Sequence, residues 1–365
     1  MLVSRLGARG FRSLADLDLD LETGITAVVG PNGAGKTNLL ESLAFGLTGR
    51  SFRTNDRREL IAFGGPLARV EVLTATAAEV AHAFVASVSR AEGRRHLLDG
   101  APLDPSRPPA ARPHLAIFSP DRLSLVKGPP GERRAELDRL VAALWPGRAE
   151  LRRRYGQALA QRNALLGRVA GGVAPATELD AWDGALAAAA APLIAAREEA
   201  ASRLAPAFAV AGDELGLGDQ ASLRYAPRAE GDAEAIREEL GHRREADLRL
   251  ARCSWGPHLD ELQIASNGRS LRRYGSQGQQ RAGLLALLFA EREALLESGA
   301  PAPLMLLDDV MSELDGERRR LLTERLSLAG QALLTATDAT ELPAAAASRQ
   351  LRLRDGALVG LAEAA

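Results

Sequence analysis

Residues 30–37 have the types and spacing to bind the phosphates of a nucleotide. Their sequence, GPNGAGKT, fits the pattern G-x-x-x-x-G-K-[ST], with an apolar segment before it and a helical pattern after it. The glycines let backbone N–H groups point at one anion, and the following helix adds the positive end of its dipole. We expect Lys36 to reach the β- and γ-phosphates and the Thr37 hydroxyl to bind Mg²⁺. The alternative is a chance glycine-rich turn, but one of only two lysines in the chain occupies the lysine position.

An acidic pair lies far along the chain. Residues 304–307, LMLL, form an apolar run that ends at Asp308 and Asp309. A buried strand there would bring Asp308 beside the phosphate loop, where its carboxylate could hold Mg²⁺ directly or through water. Asp309 would face the γ-phosphate and orient or deprotonate a water molecule. Taken alone, the motif is more often a strand that ends in a solvated turn. Its pairing with the loop requires a sheet built from both ends of the chain.

Residues 275–281, GSQGQQR, form a third candidate anion site. Ser276 and Gly278 lie at the start of a helix predicted from Gln277, and a helix N-terminus binds anions. One phosphate does not need two such sites, so two subunits arranged head to tail would use both, each serving the nucleotide of the other. The alternative is an ordinary helix start capped by a side chain.

Strand and helix patterns surround these motifs. Residues 16–21 alternate Asp and Leu, which predicts a half-buried strand, and residues 25–29 predict a buried parallel strand. Helical spacing follows in residues 36–46. The pattern predicts further strands at residues 69–74, 83–89, 114–118, 262–266, 269–273, 303–307, 333–337 and 351–354, and a helix at 277–296. The dipeptides Asp99-Gly100 and Asn267-Gly268 predict tight hairpin turns.

The region from about residue 130 to residue 252 has a different composition. It is rich in Ala, Leu, Arg and Glu, which favours helices. We expect these helices to break at Gly171-Gly172, Pro192, Pro206 and Gly231, and no sustained heptad pattern supports a long coiled coil. The sequence therefore predicts two domains: residues 1–125 with residues 253–365, and a helical insertion or lid over residues 126–252.

Composition limits the possible functions. The 365 residues are 46% hydrophobic and 25% charged, as in a folded protein of about two domains. Aromatic residues make up only 4%, which argues against a module that stacks bases on aromatic platforms. The net charge of −1 means that any contact with nucleic acid is a local patch. The single cysteine, Cys253, excludes an internal disulfide and fits a reducing cytoplasm.

The sequence also argues against secretion and membrane insertion. Charged residues interrupt the N-terminus, so we find no signal-peptide core. The longest apolar run, residues 185–196, is rich in alanine and contains Pro192, which makes it a poor bilayer span. We therefore expect a cytoplasmic protein, associated with the nucleoid if it binds DNA, without a membrane partner.

Several segments together resemble the ABC-type ATPase heads of the SMC-like DNA-repair class, and most closely the RecF family of recombination mediators. The resemblance spans about residues 2–356. The matching segments are FRS at 11–13, GPNGAGKTNLLES at 30–42, SFRT at 51–54, FSPDRLSLVKGPPGERR at 118–134, GPHLDEL at 256–262, SQGQQR at 276–281 and LMLLDDVMSELD at 304–315. The implied fold is α/β, an ABC-ATPase-like head with a mixed sheet and a phosphate loop, plus an inserted, mainly helical lid domain.

The resemblance implies a role for each matching residue. Asp308 and Thr37 would hold Mg²⁺, while Asp309 and Lys36 would act in catalysis, with Asp309 in the place where many ABC proteins have glutamate. Residues 312–315 resemble the D-loop. The residues that would contact ATP are Arg12, Gly30, Pro31, Asn32, Gly33, Ala34, Gly35, Lys36, Thr37 and Asn38, and from the partner subunit's signature motif Ser276, Gln277, Gly278 and Gln279.

The sequence departs from the ABC pattern at three places. Residues 118–121 stand roughly where the Q-loop would be, but they contain no glutamine. Thr335 or Thr337 stands where the switch histidine is usual, so we do not predict γ-phosphate sensing by a histidine at that element. Leu259 stands where an arginine is expected, so we do not predict the arginine contact there.

The resemblance implies an ATP-gated DNA clamp with ATP and Mg²⁺ as cofactors. ATP would join two subunits, the dimer would grip single-stranded DNA and single/double-strand junctions at gaps, and weak, DNA-stimulated hydrolysis would release it. The implied partners are RecO and RecR, and indirectly RecA, in gap repair, replication restart and SOS induction.

Other functions are less well supported. A transporter ATPase needs the Q-loop glutamine and the switch histidine, a nuclease needs a further metal cluster, and a helicase needs further motifs. His258 lies beside Asp260 and Glu261, but without a second His or Cys cluster it is more often structural than a metal ligand. The basic clusters are candidates for DNA phosphates, although such clusters are usually solvated surfaces: Arg50, Arg53, Arg57 and Arg58; Arg152–Arg154; Arg318–Arg320; and Arg269, Arg272 and Arg273.

Overall fold

A computed structural model gives the fold of the chain. It describes residues 2–75, 80–104, 111–343 and 349–363. The strands in chain order are β1 (Leu2–Arg9), β2 (Leu17–Asp20), β3 (Gly24–Val29), β4 (Leu67–Ala75), β5 (Ala81–Ser89), β6 (Gly93–Leu98), β7 (Ala101–Pro102), β8 (Leu115–Phe118), β9 (Ala221–Ala226), β10 (Glu261–Ser266), β11 (Arg269–Ser270), β12 (Leu304–Leu307), β13 (Gln331–Ala336), β14 (Arg349–Arg354) and β15 (Ala357–Glu363).

The helices of the described residues connect these strands. In chain order they are α1 (Lys36–Thr48), α2 (Ser124–Lys127), α3 (Pro130–Leu144), α4 (Leu151–Ala170), α5 (Leu179–Glu214), α6 (Ala233–His242), α7 (Arg244–Leu250), α8 (Leu271–Tyr274), α9 (Gln277–Glu297) and α10 (Gly316–Ser327).

The chain forms two compact units. One contains Met1–Leu123 and Leu295–Ala365, and the other contains Ser124–Ala294. This division differs from the predicted domains at residues 253–294, which fall in the second unit. The reason is a strand that composition concealed: β9, inside the predicted helical region, pairs antiparallel with β10 along its whole length. The hairpin of β10 and β11 thereby completes a small sheet of the second unit.

The first unit contains two six-stranded sheets. One has the order β2-β1-β4-β5-β6-β7, and its pairs are antiparallel. The other has the order β15-β14-β3-β13-β12-β8, parallel except for the β14–β15 hairpin. β3, near the start of the chain, lies between β13 and β14 near its end, so the expectation of a sheet built from both ends is confirmed.

Helix α1 packs its apolar side against the antiparallel sheet. Leu39, Leu43 and Phe45 are buried in the main hydrophobic core of this unit. Gly46 permits the close approach, because a Cβ atom there would lie 2.4 Å from Cγ2 of Val72 on β4. This packing fixes the start of α1, and with it the phosphate loop.

Helix α5 corrects the prediction for the second unit. It runs for 36 residues through Pro192 and Pro206, where we expected breaks. Each proline removes one helical hydrogen bond. Both prolines lie on the exposed side, where water can satisfy the freed carbonyl groups. The apolar residues on the other side are buried in the unit, so tertiary packing outweighs the local cost.

By length and composition, residues 176–214 could cross a membrane. The apolar core helix of a folded protein passes the same test, and this helix carries the buried ion-pairing residues Asp183 and Arg197. The absence of a membrane partner stays a prediction.

The strand predicted at residues 269–273 ends early. β11 stops at Ser270, and α8 begins at Leu271. The Leu271 carbonyl accepts hydrogen bonds from the Gly275 N–H and the Gln280 side chain, at 3.1 Å each. These bonds and the burial of Leu271 favour a helical turn over an extended strand.

Candidate nucleotide site

The phosphate loop has the backbone that its glycines predict. Gly33 and Gly35 adopt the left-handed conformation, with φ of 82° and 100°. A Cβ atom at Gly30 would lie 2.2 Å from the carbonyl oxygen of Leu353, so only glycine fits there. Helix α1 begins at Lys36, and no side chain caps it. Its first N–H groups have no helical partner and are oriented to bind an anion.

Lys36 folds back over this loop. Its side chain is buried, and Nζ donates hydrogen bonds to the carbonyl oxygens of Gly30 at 2.6 Å and Pro31 at 3.2 Å. Burial lowers the pKa of Lys36, while the negative charges of Asp309 and Asp308 oppose the shift. A phosphate group would supply the ammonium with a charged partner.

Asp308 lies directly beside the loop, as its sequence position predicted. The Thr37 hydroxyl is within hydrogen-bond distance of both of its carboxylate oxygens, at 3.0 and 2.8 Å. Thr335 donates a further hydrogen bond to Asp308 Oδ1 at 2.9 Å. Burial raises the pKa of Asp308, and the hydrogen bonds from Thr37 and Thr335 oppose this. A hydroxyl and a carboxylate side by side are the oxygen donors that suit Mg²⁺.

Asp309 is held in an unusual conformation. Its φ is 52°, in the left-handed region, and its N–H donates to the Thr335 hydroxyl at 2.8 Å. Its Oδ1 atom is buried and has no hydrogen-bond partner among the described residues. An orphaned acceptor beside the loop fits a residue that receives a proton or a water molecule from outside the protein.

A buried carboxylate, Glu41, organises the arginines near the loop. It is fully buried on α1, and it pairs with Arg12 (Nη2–Oε1 2.7 Å, Nε–Oε2 2.6 Å) and with Arg53 (Nη1–Oε2 3.3 Å). Arg53 also donates to Asn38 Oδ1 at 3.0 Å, and Asn38 donates to Ser13 Oγ at 2.8 Å. The structure therefore places Arg12 and Asn38 in one network with the start of α1.

Sequence reasoning missed Glu41 and gave Arg53 no role at the nucleotide. The sequence pointed to Arg53 only through the SFRT segment, which matches the family but to which no function was assigned. Thr335 was noted only as a replacement for the switch histidine, and its bonds to the acidic pair were not foreseen.

The other switch candidate, Thr337, contacts a different carboxylate. Its hydroxyl donates to Glu341 Oε1 at 2.9 Å, and its N–H donates to Glu341 Oε2 at 3.3 Å. Glu341 is close enough to Lys36 to oppose the lowering of its pKa. Sequence reasoning did not identify this third carboxylate near the phosphate loop.

The signature residues belong to the second unit and form a capped helix start. The Gln279 N–H donates to Ser276 Oγ at 3.2 Å, and the Ser276 N–H donates to Gln279 Oε1 at 2.9 Å, a reciprocal cap. Ser276, Gln277 and Gly278 are exposed. In the bond with Gln279 the Ser276 oxygen only accepts, so its hydroxyl proton can be donated elsewhere.

His258 has the contacts of a structural residue. Nδ1 lies 2.7 Å from the Tyr155 hydroxyl, and Nε2 lies 3.2 Å from the carbonyl oxygen of Cys253. Among the described residues, no group of three or more His, Cys, Asp or Glu side chains is arranged to hold a metal ion.

An arginine cluster lies at the C-terminal end of α1. We define it as Arg50, Arg57, Arg94 and Arg112. Arg94 Nη1 donates to the carbonyl oxygen of Gly49 at 2.9 Å, next to Arg50. Burial lowers the pKa of Arg94, and the charges of Arg57 and Arg50 lower it further. Burial also lowers the pKa of Arg112, with Arg50 adding to the shift. Within the described part of the chain, no carboxylate forms an ion pair with these four, so an external anion would relieve their repulsion.

Known proteins resemble this chain in sequence and fold. A family model described as an AAA domain matches residues 5–93. The DNA replication and repair protein RecF of Heliobacterium modesticaldum is 35% identical over 350 residues, 92% of each chain. A solved structure of the recombination mediator protein RecF with ATP, in the RecFOR pathway, covers 99% of this chain and 98% of its own at a TM-score of 0.84 and 25% identity.

An Smc head bound to the C-terminal winged-helix domain of ScpA aligns with 100% of this chain and 98% of its own, at a TM-score of 0.60 and 18% identity. At that identity the likeness concerns the fold alone. These matches confirm the predicted fold class, a mixed α/β, ABC-ATPase-like head with an inserted helical part.

Proposed function

Because the chain belongs to the RecF family of DNA replication and repair proteins, we propose that it is an ATP-gated DNA clamp of recombinational repair. The observation that carries the proposal is the juxtaposition of Lys36, Thr37 and Asp308 around an uncapped helix start. The acidic pair and the phosphate loop come from distant parts of the chain, and their meeting is what a nucleotide site requires.

The residues divide the chemistry between them. The N–H groups at the start of α1 and the Lys36 ammonium bind the phosphates, and the oxygens of Thr37 and Asp308 hold Mg²⁺. When bound, Mg²⁺ neutralises charge that develops on the phosphates. Asp309, whose Oδ1 has no partner in the described part of the chain, orients the attacking water and accepts its proton. We propose slow hydrolysis, with the nucleotide acting as a timer.

ATP would also join two subunits. The exposed Ser276 hydroxyl and the N-terminus of α9 are suited to contact the γ-phosphate of a nucleotide held by a second copy. A head-to-tail pair with twofold symmetry forms two such composite sites. Loss of the γ-phosphate removes the shared ligand, so hydrolysis would open the dimer.

The arginine cluster supports a phosphodiester contact in the first unit. Four cations that have no ion-paired carboxylate among the described residues are suited to a polyanion, and the net charge of −1 confines such contacts to a patch. The solved relative is described in the RecFOR pathway, which supports RecO and RecR as partners. We propose help with RecA loading at gaps as the outcome. We propose a cytoplasmic, nucleoid-associated protein whose ATPase is stimulated by DNA.

The mass of the protein in solution tests the clamp. We would measure it without nucleotide, with ADP and with ATP–Mg²⁺, each with and without a gapped duplex. The expected result is a dimer with ATP alone, coupled to tighter DNA binding. Lys36→Ala should remain monomeric with ATP, whereas Lys127→Ala, at the only other lysine, should dimerise like the wild type.

A second pair of variants tests the role of the signature motif in dimerisation separately from ATP binding. Ser276→Arg should bind ATP normally as a monomer but fail to dimerise. Asp232→Arg also removes a helix cap in the second unit and adds an arginine, and it should dimerise. A wild-type protein that stays monomeric in every condition, or a Ser276→Arg dimer, would contradict the composite site.

A further inference from the structure

Thr335 is a fully buried residue on the strand between the two halves of the nucleotide site. β13 lies between β3, which leads into the phosphate loop, and β12, which leads into Asp308. The register pairs Thr335 with Val28 of β3, next to the loop. A hydroxyl buried at this position must find hydrogen-bond partners or destabilise the fold.

Both partners of this hydroxyl belong to the acidic pair. Thr335 Oγ1 donates to Asp308 Oδ1 at 2.9 Å and accepts from the Asp309 N–H at 2.8 Å. A hydroxyl has one proton, and here that proton is used on the carboxylate. A single oxygen atom therefore fixes the side chain of one aspartate and the backbone of the next.

The second bond holds a strained backbone. At a φ of 52°, Asp309 occupies a region that residues other than glycine enter at a cost. The turn at Asp309 directs its carboxylate so that Oδ1 is buried without a partner in the described part of the protein. If the N–H lost its acceptor, the turn could relax and the carboxylate would move.

We propose that Thr335 is a positioning residue for ATP hydrolysis, whose hydroxyl orients Asp308 as a magnesium ligand and locks Asp309 in its left-handed turn. The inference rests on the proposed magnesium–ATP site. It assigns a role to the strand position where the usual switch histidine is absent. Thr335 would act through the two aspartates and would not contact the nucleotide.

The chain contains a matched control for this proposal. Thr74, on β4 of the same unit, is also fully buried, but its hydroxyl has no hydrogen-bond partner in the structure as described. Thr74→Val and Thr335→Val remove the same group from the same kind of environment. Valine keeps the shape and suits a strand in both cases. Only the second substitution removes bonds to the acidic pair.

The first measurement uses the protein without nucleotide. Hydrogen exchange followed by mass spectrometry measures the protection of the Asp309 amide. The value comes from the difference between overlapping peptides that end just before and just after this residue. Thr335→Val should lose that protection at least tenfold, and Thr335→Ser, which keeps the hydroxyl, should restore it. Thr74→Val should exchange like the wild type.

The second measurement separates binding from hydrolysis. ATP affinity without Mg²⁺ depends on the loop and on Lys36, so Thr335→Val should match the wild type within about twofold. With Mg²⁺, the variant should need a higher magnesium concentration, and kcat should fall roughly tenfold or more, as expected for loss of a hydrogen bond to a charged group. Thr335→Ser should recover most of the rate. A merely destabilised fold would not lower kcat while leaving the Mg²⁺-free affinity for ATP unchanged.

Two results would overturn the inference and leave the proposed site intact. One is a Thr335→Val protein with wild-type magnesium dependence and kcat. The other is a Thr74→Val protein with the same losses, which would mean that any buried hydroxyl produces them. A wild-type protein without magnesium-dependent hydrolysis would overturn the proposed site and the inference together, whereas a normal wild type with an unaffected Thr335→Val protein overturns the inference alone.

Discussion

Replacement of Glu41 by glutamine tests the network that holds Arg12 and Arg53. Glu41 is fully buried, while the side chains of Arg12 and Arg53 are 16% and 32% exposed. Removing one partner of a fully buried ion pair costs about 3–5 kcal/mol. Because water partly screens both arginines, we expect Glu41→Gln to lower the free energy of unfolding of the first unit by about 2–3 kcal/mol. In a unit of this size that corresponds to a fall in Tm of about 4–12 °C.

Calorimetry of the wild type and the variant measures this change, and Glu71→Gln is the matched control. Glu71 also pairs with an arginine, Arg69 at 3.3 Å, but on the surface of β4 with both side chains about half exposed. Its loss should cost less than about 1 kcal/mol. A double-mutant cycle of Glu41→Gln with Arg12→Gln should give a coupling of about 1–3 kcal/mol. If Glu41→Gln cost no more unfolding free energy than Glu71→Gln, that result would refute a stabilising role for the buried network.

Three further predictions follow from the same structure. Burial lowers the pKa of His258 below its unfolded value of about 6.5. The neutral imidazole therefore contributes its full stabilisation above that pH, and the contribution is lost as the pH falls towards the folded pKa. In urea unfolding between pH 8 and 5, the free energy of unfolding should fall with pH more steeply in the wild type than in His258→Gln. Gly30→Ala should abolish ATP binding in nucleotide titrations, because its Cβ would lie 2.2 Å from a backbone oxygen. Gly184→Ala is the control: it lies in open space on α5, and it should raise the free energy of unfolding in urea by up to about 1 kcal/mol. Arg57→Ala should reduce the log–log salt dependence of DNA binding by about 0.9, while Arg95→Ala, whose side chain pairs with a glutamate, should leave the slope unchanged in fluorescence titrations.

Local patterns predicted the elements that carry the site. The phosphate loop, α1 and β12 each have a signal within a few residues: glycine spacing, helical spacing, or an apolar run that ends in aspartate. The backbone of Gly33 and Gly35 and the meeting of Thr37 with Asp308 followed from those signals. They could be predicted because the carboxyl ends of the parallel strands in one sheet lie at the same edge.

Long-range pairing limited the prediction elsewhere. β9 has a short strand pattern inside an alanine-rich region, and only its partner β10 makes it a strand. Pro192 and Pro206 are reliable helix breakers locally, but the burial of one whole side of α5 outweighs two lost hydrogen bonds. Competition between local preference and tertiary packing cannot be settled from residues within one helical turn of each other.

The supporting residues of the site were hidden for a related reason. Glu41 and Thr335 are ordinary residues in their own segments, and they gain roles through partners that lie between 12 and 29 positions away. The direction of each side chain depends on strand register and helix rotation, which no motif specifies.

The geometry also explains how the site can function without the switch histidine. β13 is the central strand between the phosphate loop and the acidic pair, so a side chain at its carboxyl end can affect both. A histidine there could contact the γ-phosphate itself. The Thr335 hydroxyl instead bonds to Asp308 and the Asp309 backbone, so in our proposal the Asp309 carboxylate takes the place beside the γ-phosphate. In our proposal, hydrolysis then depends on how well one strained turn holds one carboxylate. Such an arrangement favours a slow reaction, which suits a nucleotide that times the release of a clamp.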